Sequence, residues 1–477
     1  MSLELCDRLR QGITNLSWRE AAGLFSFGLF GKVLWSHYGI LRHHKLPQHD
    51  LGWPLIGHTL SIFRDGIDTF VDSMMKGRKA VLCNFLFTHA VLIDYPVYLE
   101  HIHRDELDGK LSPKWIPSMA TLMGKSSILA LPGGKGHALH KRLRSKILHS
   151  LASKPVLAIL PQILSLTREM LDGLAAKTEE NGFASFEGPA AELASKVSTL
   201  QITAGLDQKL QESLHKLLDD VLQGMFSLPL NLGRFTAFGR GCIARREING
   251  IIKDVMQSPN LDHQNIIKDL MHTSESGEAF TAEEISDTVV TLLLAGKLTT
   301  ADAMPALLVR LHEHPEWVTR IAEETLEFKG IEEDSSTLRA VRESLRLVPP
   351  AGAYRRVCPH AALDLGEHGR IPAGCAFSVL IRNPLRGMGP AFEPERWTPE
   401  KCRQDGNLAF GGSEPHSCIG KNLALLELQV FASLLCKEYS FQALDPELVM
   451  KSSNPISKTY KDSLRVQVSK KVCAVVA

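Results

Sequence analysis

The segment Phe410-Gly-Gly-Ser-Glu-Pro-His-Ser-Cys418-Ile-Gly420 places one thiol just ahead of a run, Gly420 to Leu435, whose apolar residues recur at helical spacing. A sulfur there faces backbone N–H groups without intrahelical partners and the positive end of the helix macrodipole, and both lower a thiol pKa. The Gly pair and the Pro upstream describe a tight turn laid against something flat, which makes Cys418 a candidate axial ligand beneath a haem. The alternative is a buried structural cysteine. A structural zinc site does not fit, because none of the nine cysteines forms the closely spaced pairs it uses.

Three other groups of residues carry chemistry. Glu343 and Arg346 are three apart and share a helical face as an ion pair, ahead of Pro349-Pro350 and Phe392-Glu-Pro-Glu-Arg396-Trp397. Taken alone such a pair is a solvated surface bridge. Ala295-Gly296 followed by Thr299-Thr300 combines two residues without bulk, which let a ligand approach the backbone, with hydroxyls able to relay protons. His140 and Arg144 stand one turn apart in Gly136-His-Ala-Leu-His140-Lys-Arg-Leu-Arg144; by itself this is a basic helix facing solvent or a reductase, the preferred reading for Lys141 and Arg142.

In this order the motifs resemble those of the cytochrome P450 family over almost the whole chain, closest in style to the retinoid, brassinosteroid and terpenoid hydroxylase group. The resemblance implies a mainly α fold with a small β region, one large triangular domain crossed by a long central distal helix. It implies haem b, with Cys418 as the metal ligand and Phe410 against the haem. It also implies His140, Arg144, Arg356 and His416 near the haem carboxylates, a buried cluster of Glu343, Arg346 and Arg396, and Thr299 bonded to dioxygen. Gly369-Arg-Ile-Pro-Ala-Gly374 resembles the family's turn into a strand. The implied activity is monooxygenation: an apolar sterol, terpenoid, retinoid or fatty substrate, dioxygen, and electrons from NADPH through NADPH-cytochrome P450 reductase.

Two departures matter. Leu298 stands where the family usually has Asp or Glu before the threonine, and Asp302, one turn on, is the candidate substitute. Phe410 is one residue farther from Cys418 than usual, and Glu414 takes the place of a Gly that normally permits a special backbone conformation. Two rival readings follow: a hydroperoxide isomerase or peroxygenase needing no reductase, and a non-catalytic haem-binding scaffold.

The elements that must hold these residues are legible as patterns. Thr281 and Glu284 form a capping box opening some thirty residues of helix through His314, apolar on nearly every face from Val289 to Ala295 and therefore central; Pro305 should kink it. Helices are expected over Val156–Asp172 and Gln208–Met225, and strands at Ala80–Phe87 and Ala90–Ile93 around a turn near Thr88-His89. No linker or repeat divides residues 50–470 of the 477, and nine unpatterned cysteines suit a reducing compartment. A formal charge of +1 gives no footprint for nucleic acid.

Residues 1–45 form a separate amino-terminal segment before a catalytic domain at 46–477. Ala21 to Trp35 is apolar except for Ser26 and Lys32, short of a clean span, with Trp35, Tyr38 and Arg42-His-His-Lys45 suited to an interface. The expectation is a monotopic anchor on the cytosolic face of the endoplasmic reticulum membrane, with Leu51-Gly-Trp-Pro orienting the domain; the alternative is a packed helix on a soluble cytosolic or organellar protein.

Overall fold

The computed structural model describes residues 31, 34, 35 and 38–471, apart from 55, 86–87, 203–207, 258–264, 273–278, 413, 445–449, 452–458 and 461–462. The apolar stretch from Ala21 to Phe30 and Lys32 lies outside the described residues.

Helices dominate and one mixed sheet flanks them. The sheet runs β1 (Gln48–Asp50), β2 (Ala80–Phe85), β3 (Thr88–Asp94), β4 (Ser112–Pro113), β5 (Ala353–Val357) and β6 (Ala376–Leu380) in the spatial order β1-β2-β3-β6-β5-β4. Central strand β6 is buried throughout, so it is apolar apart from Ser378 rather than alternating. It pairs parallel to β3, with Ala90 opposite Ala376, and antiparallel to β5, with Arg356 opposite Phe377. Short β4 caps the edge through Pro113 opposite Arg356. Thr88 and His89 belong to β3, paired with Phe85 and Asn84, and do not form the turn that the sequence pattern placed at them. The polar Thr-His pair reads as a turn, but the hydrogen-bonded ladder to β2 takes both residues.

Short helices α1 (Tyr95–His101) and α2 (His103–Leu107) follow β3, and α3 (Ala138–Ser150) carries the basic motif. Helices α4 (Glu187–Ile202), α5 (Gln208–Met225) and α6 (Ala237–Gln257) lead to α7 (Ala282–Glu313). The helix expected at Val156–Asp172 is two, Ser153–Ala158 and Leu160–Asn181, because Pro161 suits a helix start and not an interior.

Helix α7 is the axis of the core. Its capping box is formed, with Thr281 accepting from the Glu284 N–H and Glu284 accepting from the Thr281 N–H. At 32 residues it spans about 48 Å, with Pro305 inside it. Residues Ile285 to Leu294 are all buried; the stretch from Val289 is almost wholly apolar, and the one ionisable group, Asp287, is paired with buried Arg245. Among the described residues it is the one helix long and apolar enough to cross a membrane, and two-thirds of its most apolar window is buried inside the protein.

Helix α8 (Ser336–Leu347) opens on a Ser335 cap and buries nine residues in twelve. The last long helix, α9 (Lys421–Glu438), is buried without a break from Leu425 to Cys436 and packs on both α7 and α8.

Candidate active site

Cys418 enters α9 through Gly420, the residue at its amino-terminal cap. The Cys418 N–H donates to the Phe410 carbonyl at 2.8 Å, closing the thiolate loop on itself, and the Phe410 ring packs against the main core. Left-handed Gly411 and Gly412 make the turn; at Gly412 a side chain would collide with the Tyr95 hydroxyl. Glu414 does not adopt a left-handed backbone; the left-handed positions are Gly411 and Gly412.

The sulfur does not behave as the helix position alone predicts. Burial in dense protein pushes the Cys418 thiol above its ordinary value, outweighing the Gly420 N–H that donates to it and the Arg144 charge. Desolvation of a thiolate exceeds what a helix end returns. Yet the residue retains accessible surface, unlike buried Cys83, Cys358, Cys375 and Cys436. A residue that keeps accessible surface and whose sulfur accepts from the Gly420 N–H fits an axial ligand.

On α7, Ala295 is exposed although Val289 to Leu294 are buried, which places a methyl group and no more at this point of the helix. Gly296 meets α4 instead: a Cβ there would lie 2.8 Å from the Ser198 side chain, so its small size serves helix packing. Thr299 donates to the Ala295 carbonyl at 3.0 Å, while Thr300 is buried. Leu298 and Asp302 are half-buried. Lys297 is buried and pairs with Asp219 of α5, tying the distal helix to the helix above it.

The four candidate anion donors converge on the thiolate loop. The His140 ring lies 4.7 Å from that of His416. Arg144 donates to the Ser417 carbonyl at 2.9 Å, the Ser417 hydroxyl at 2.8 Å and the Glu414 carboxylate at 2.8 Å, so the residue replacing glycine supplies a counter-ion. His416 meets the Leu131 carbonyl through Nε2 at 3.2 Å, and through Nδ1 it meets Glu106 at 2.9 Å. With both ring nitrogens held inside the protein, His416 acts as a brace of the loop and is not free to bind a haem carboxylate. Gly133 allows this approach, since a Cβ would lie 2.8 Å from the His416 ring. Arg356 is buried on β5 and stacks over Tyr354 at 4.7 Å. It gives Nε to Glu106 at 2.6 Å and Nη1 to the Arg355 carbonyl at 3.1 Å, and Nη2 meets no acceptor among the described residues. Burial lowers the His140 imidazole to about 4, leaving it neutral. Arg356 Nη2 and the His140 ring are thus donors available to an anion such as a haem carboxylate.

Sequence reasoning missed Glu106. It lies 310 residues before His416, with no spacing to link the two, and only the fold brings them into contact.

Glu343, Arg346 and Arg396 meet behind the loop. Arg346 forms a bidentate pair with Glu343, both bonds 2.9 Å and both side chains fully buried, and its remaining hydrogens reach the carbonyls of Leu385, Gly389 and Ala391. Glu343 also accepts from Arg396 at 3.1 Å, the Trp397 indole at 2.8 Å and the Glu393 N–H at 2.9 Å.

The fold and this site define a haem-thiolate protein, and comparison with known proteins agrees. Residues 47–466 match the family described as Cytochrome P450, and the chain belongs to that family. It is 26% identical to the beta-amyrin 11-oxidase of Glycyrrhiza uralensis over 91% of this chain and 92% of that protein. It is 25% identical to the protopanaxadiol 6-hydroxylase of Panax ginseng over 84% and 89% of the two chains. The retinoic acid-bound cyanobacterial CYP120A1 superposes with a TM-score of 0.71 at 21% identity, covering 90% of this chain and all of that one. The chain is therefore a cytochrome P450 enzyme, a monooxygenase whose cofactor is haem iron.

Proposed function

We propose that this enzyme hydroxylates an apolar isoprenoid or sterol-like substrate, taking electrons from NADPH through NADPH-cytochrome P450 reductase. The observation that carries the reading is Cys418, which keeps accessible surface and whose sulfur is hydrogen-bonded by Gly420 at the head of a buried helix that packs on α7. Haem bound to a cysteine thiolate activates dioxygen, because the sulfur donates electron density that favours O–O cleavage. Ala295 leaves room beside the distal helix, and the Thr299 hydroxyl, one turn on, gives its hydrogen to the Ala295 carbonyl and keeps lone pairs that would accept a hydrogen bond from a donor in the site. Arg356 and His140 supply the donors for the haem carboxylates, and the Glu343 cluster holds the loop. The substrate class follows the relatives named for oxidation of beta-amyrin and protopanaxadiol.

Reduction under carbon monoxide tests this reading: a strongly red-shifted Soret band, lost in Cys418→Ala, is expected, and an imidazole-type band overturns it.

Attachment to the cytosolic face of the endoplasmic reticulum through residues 1–45 belongs to the same proposal. It is supported by an exposed apolar run between α5 and α6, where Leu228, Leu230 and Leu232 are 57–64% exposed and Phe235 is 93% exposed. Trp53, at 73%, is similarly uncovered. Flotation with phosphatidylcholine vesicles should fall when these four run residues become serine; unchanged flotation would remove this support.

Leu298 favours a second reading. Without a carboxylate before Thr299, the site suits a substrate that brings its own peroxide oxygen, as in an isomerase or peroxygenase. Turnover with organic hydroperoxide but none with NADPH and reductase would select it.

A further inference from the structure

Glu106 is a buried carboxylate, 2% exposed, on the five-residue helix α2, remote in sequence from every motif above. Its neighbours are unusual for a structural acid. One oxygen, Oε1, takes both Arg356 Nε at 2.6 Å and His416 Nδ1 at 2.9 Å, while Oε2 accepts from the Tyr98 hydroxyl. Tyr98 is itself fixed by His103 at 3.2 Å and by the Tyr354 ring, packed edge-on at 5.8 Å. A single atom therefore joins β5 to the loop residue two before Cys418.

This geometry constrains the guanidinium. Nε is taken by Glu106, Nη1 by the Arg355 carbonyl, and the plane by Tyr354 below it, so the fork can rotate neither about its stem nor out of plane. What remains is Nη2. Burial pushes the Glu106 carboxyl up, but the His416 hydrogen bond and the Arg356 charge outweigh it and hold the group at about 2, so it is an anion throughout the working range.

We propose that Glu106 is a positioning residue for haem: it fixes Arg356 so that Nη2 alone faces a haem carboxylate, and couples that orientation to the thiolate loop through His416. The proposal rests on the haem-thiolate reading, and the test separates the two. The full chain is first checked for the red-shifted carbon monoxide band; its absence overturns the haem-thiolate reading and this proposal with it. Where the band is present, haem loss to apomyoglobin and the ferric–ferrous midpoint potential are measured for wild type, Glu106→Gln, Arg356→Gln and the double variant.

Glu106→Gln should lose haem roughly tenfold faster, the scale of one charge-assisted hydrogen bond. Its potential should rise, because a fixed negative charge beside the cofactor is gone. The double variant should lose haem no faster than Arg356→Gln, since Glu106 acts through that arginine. Unchanged potential with additive rates overturns the proposal, because a purely structural acid would give that result. If Glu106→Gln does not fold, Arg356→Lys decides: it keeps the charge but not the planar fork. Rapid haem loss then supports orientation as the role, and wild-type retention overturns it.

Discussion

Glu343→Ala removes the acceptor at the centre of the frame behind the thiolate loop. Arg346, fully buried, would be left as an uncompensated cation, and the Trp397 indole and Glu393 N–H would lose their partner. Stranding one member of a buried pair costs about 3–5 kcal/mol. The carbonyls of Leu385, Gly389 and Ala391 hold the guanidinium in place and prevent its escape to water, which puts the cost near the upper end. Unfolding entropy of about 2.1 cal/mol/K per residue over 477 residues is about 1 kcal/mol/K, so the melting temperature should fall by about 4–5 °C. Arg396 keeps one bond to Glu343 and is 19% exposed, so Arg396→Met should cost about 1–2 kcal/mol. The assay is thermal unfolding at matched haem content, with the double variant Glu343→Ala/Arg346→Met alongside. Removing the stranded charge should make the double variant no less stable than Glu343→Ala. A fall below about 1 °C for Glu343→Ala, or strictly additive losses in the pair, would refute the reasoning.

Leu298→Glu restores an acid before Thr299 and should raise product formed per NADPH several-fold; unchanged coupling would show that the missing carboxylate is not limiting. Glu427 on α9 is buried, its Oε1 unpartnered among the described residues, and burial raises its carboxyl to about 8 against an ordinary 4.5. A raised folded value binds the proton more tightly in the native state, so this contribution is present below pH 4.5 and lost as pH climbs to 8. Glu427→Gln should therefore flatten the decline in stability between pH 4.5 and 8, as measured by denaturant unfolding across pH. His140 titrates with the opposite sense: its folded value near 4 against 6.5 means stability present above 6.5 and lost as pH falls toward 4. His140→Phe should flatten that limb, whereas Glu427→Gln should steepen it between pH 4.5 and 6.5, where the two groups titrate in opposition.

The legibility of this site follows the range of each interaction. Glu343 and Arg346 were readable because a helix sets neighbours three apart on one face, and Thr281 with Glu284 because a capping box is local. The convergence of His140, Arg144, Arg356 and His416 came only through family resemblance; nothing in their spacing implies it. Their partners were not readable at all. Glu106 and Glu414 are ordinary acids in the sequence, and only packing shows one bracing Arg356 and His416 and the other neutralising Arg144. Gly296 shows the converse: a small residue read as room for a ligand turns out to admit Ser198 of a crossing helix.

By itself the sequence determined the candidate thiolate, the central helix and the family, because these rest on local periodicity, capping and ordered motifs that survive without coordinates. Tertiary structure decided the charge state and aim of the site. Whether the Cys418 thiol is raised or lowered depends on how much water surrounding chains exclude, set by residues hundreds of positions away. Which nitrogen of Arg356 remains free depends on three neighbours from two separate elements. Burial and hydrogen-bond geometry are properties of the packed chain, and no pattern along the chain encodes them directly.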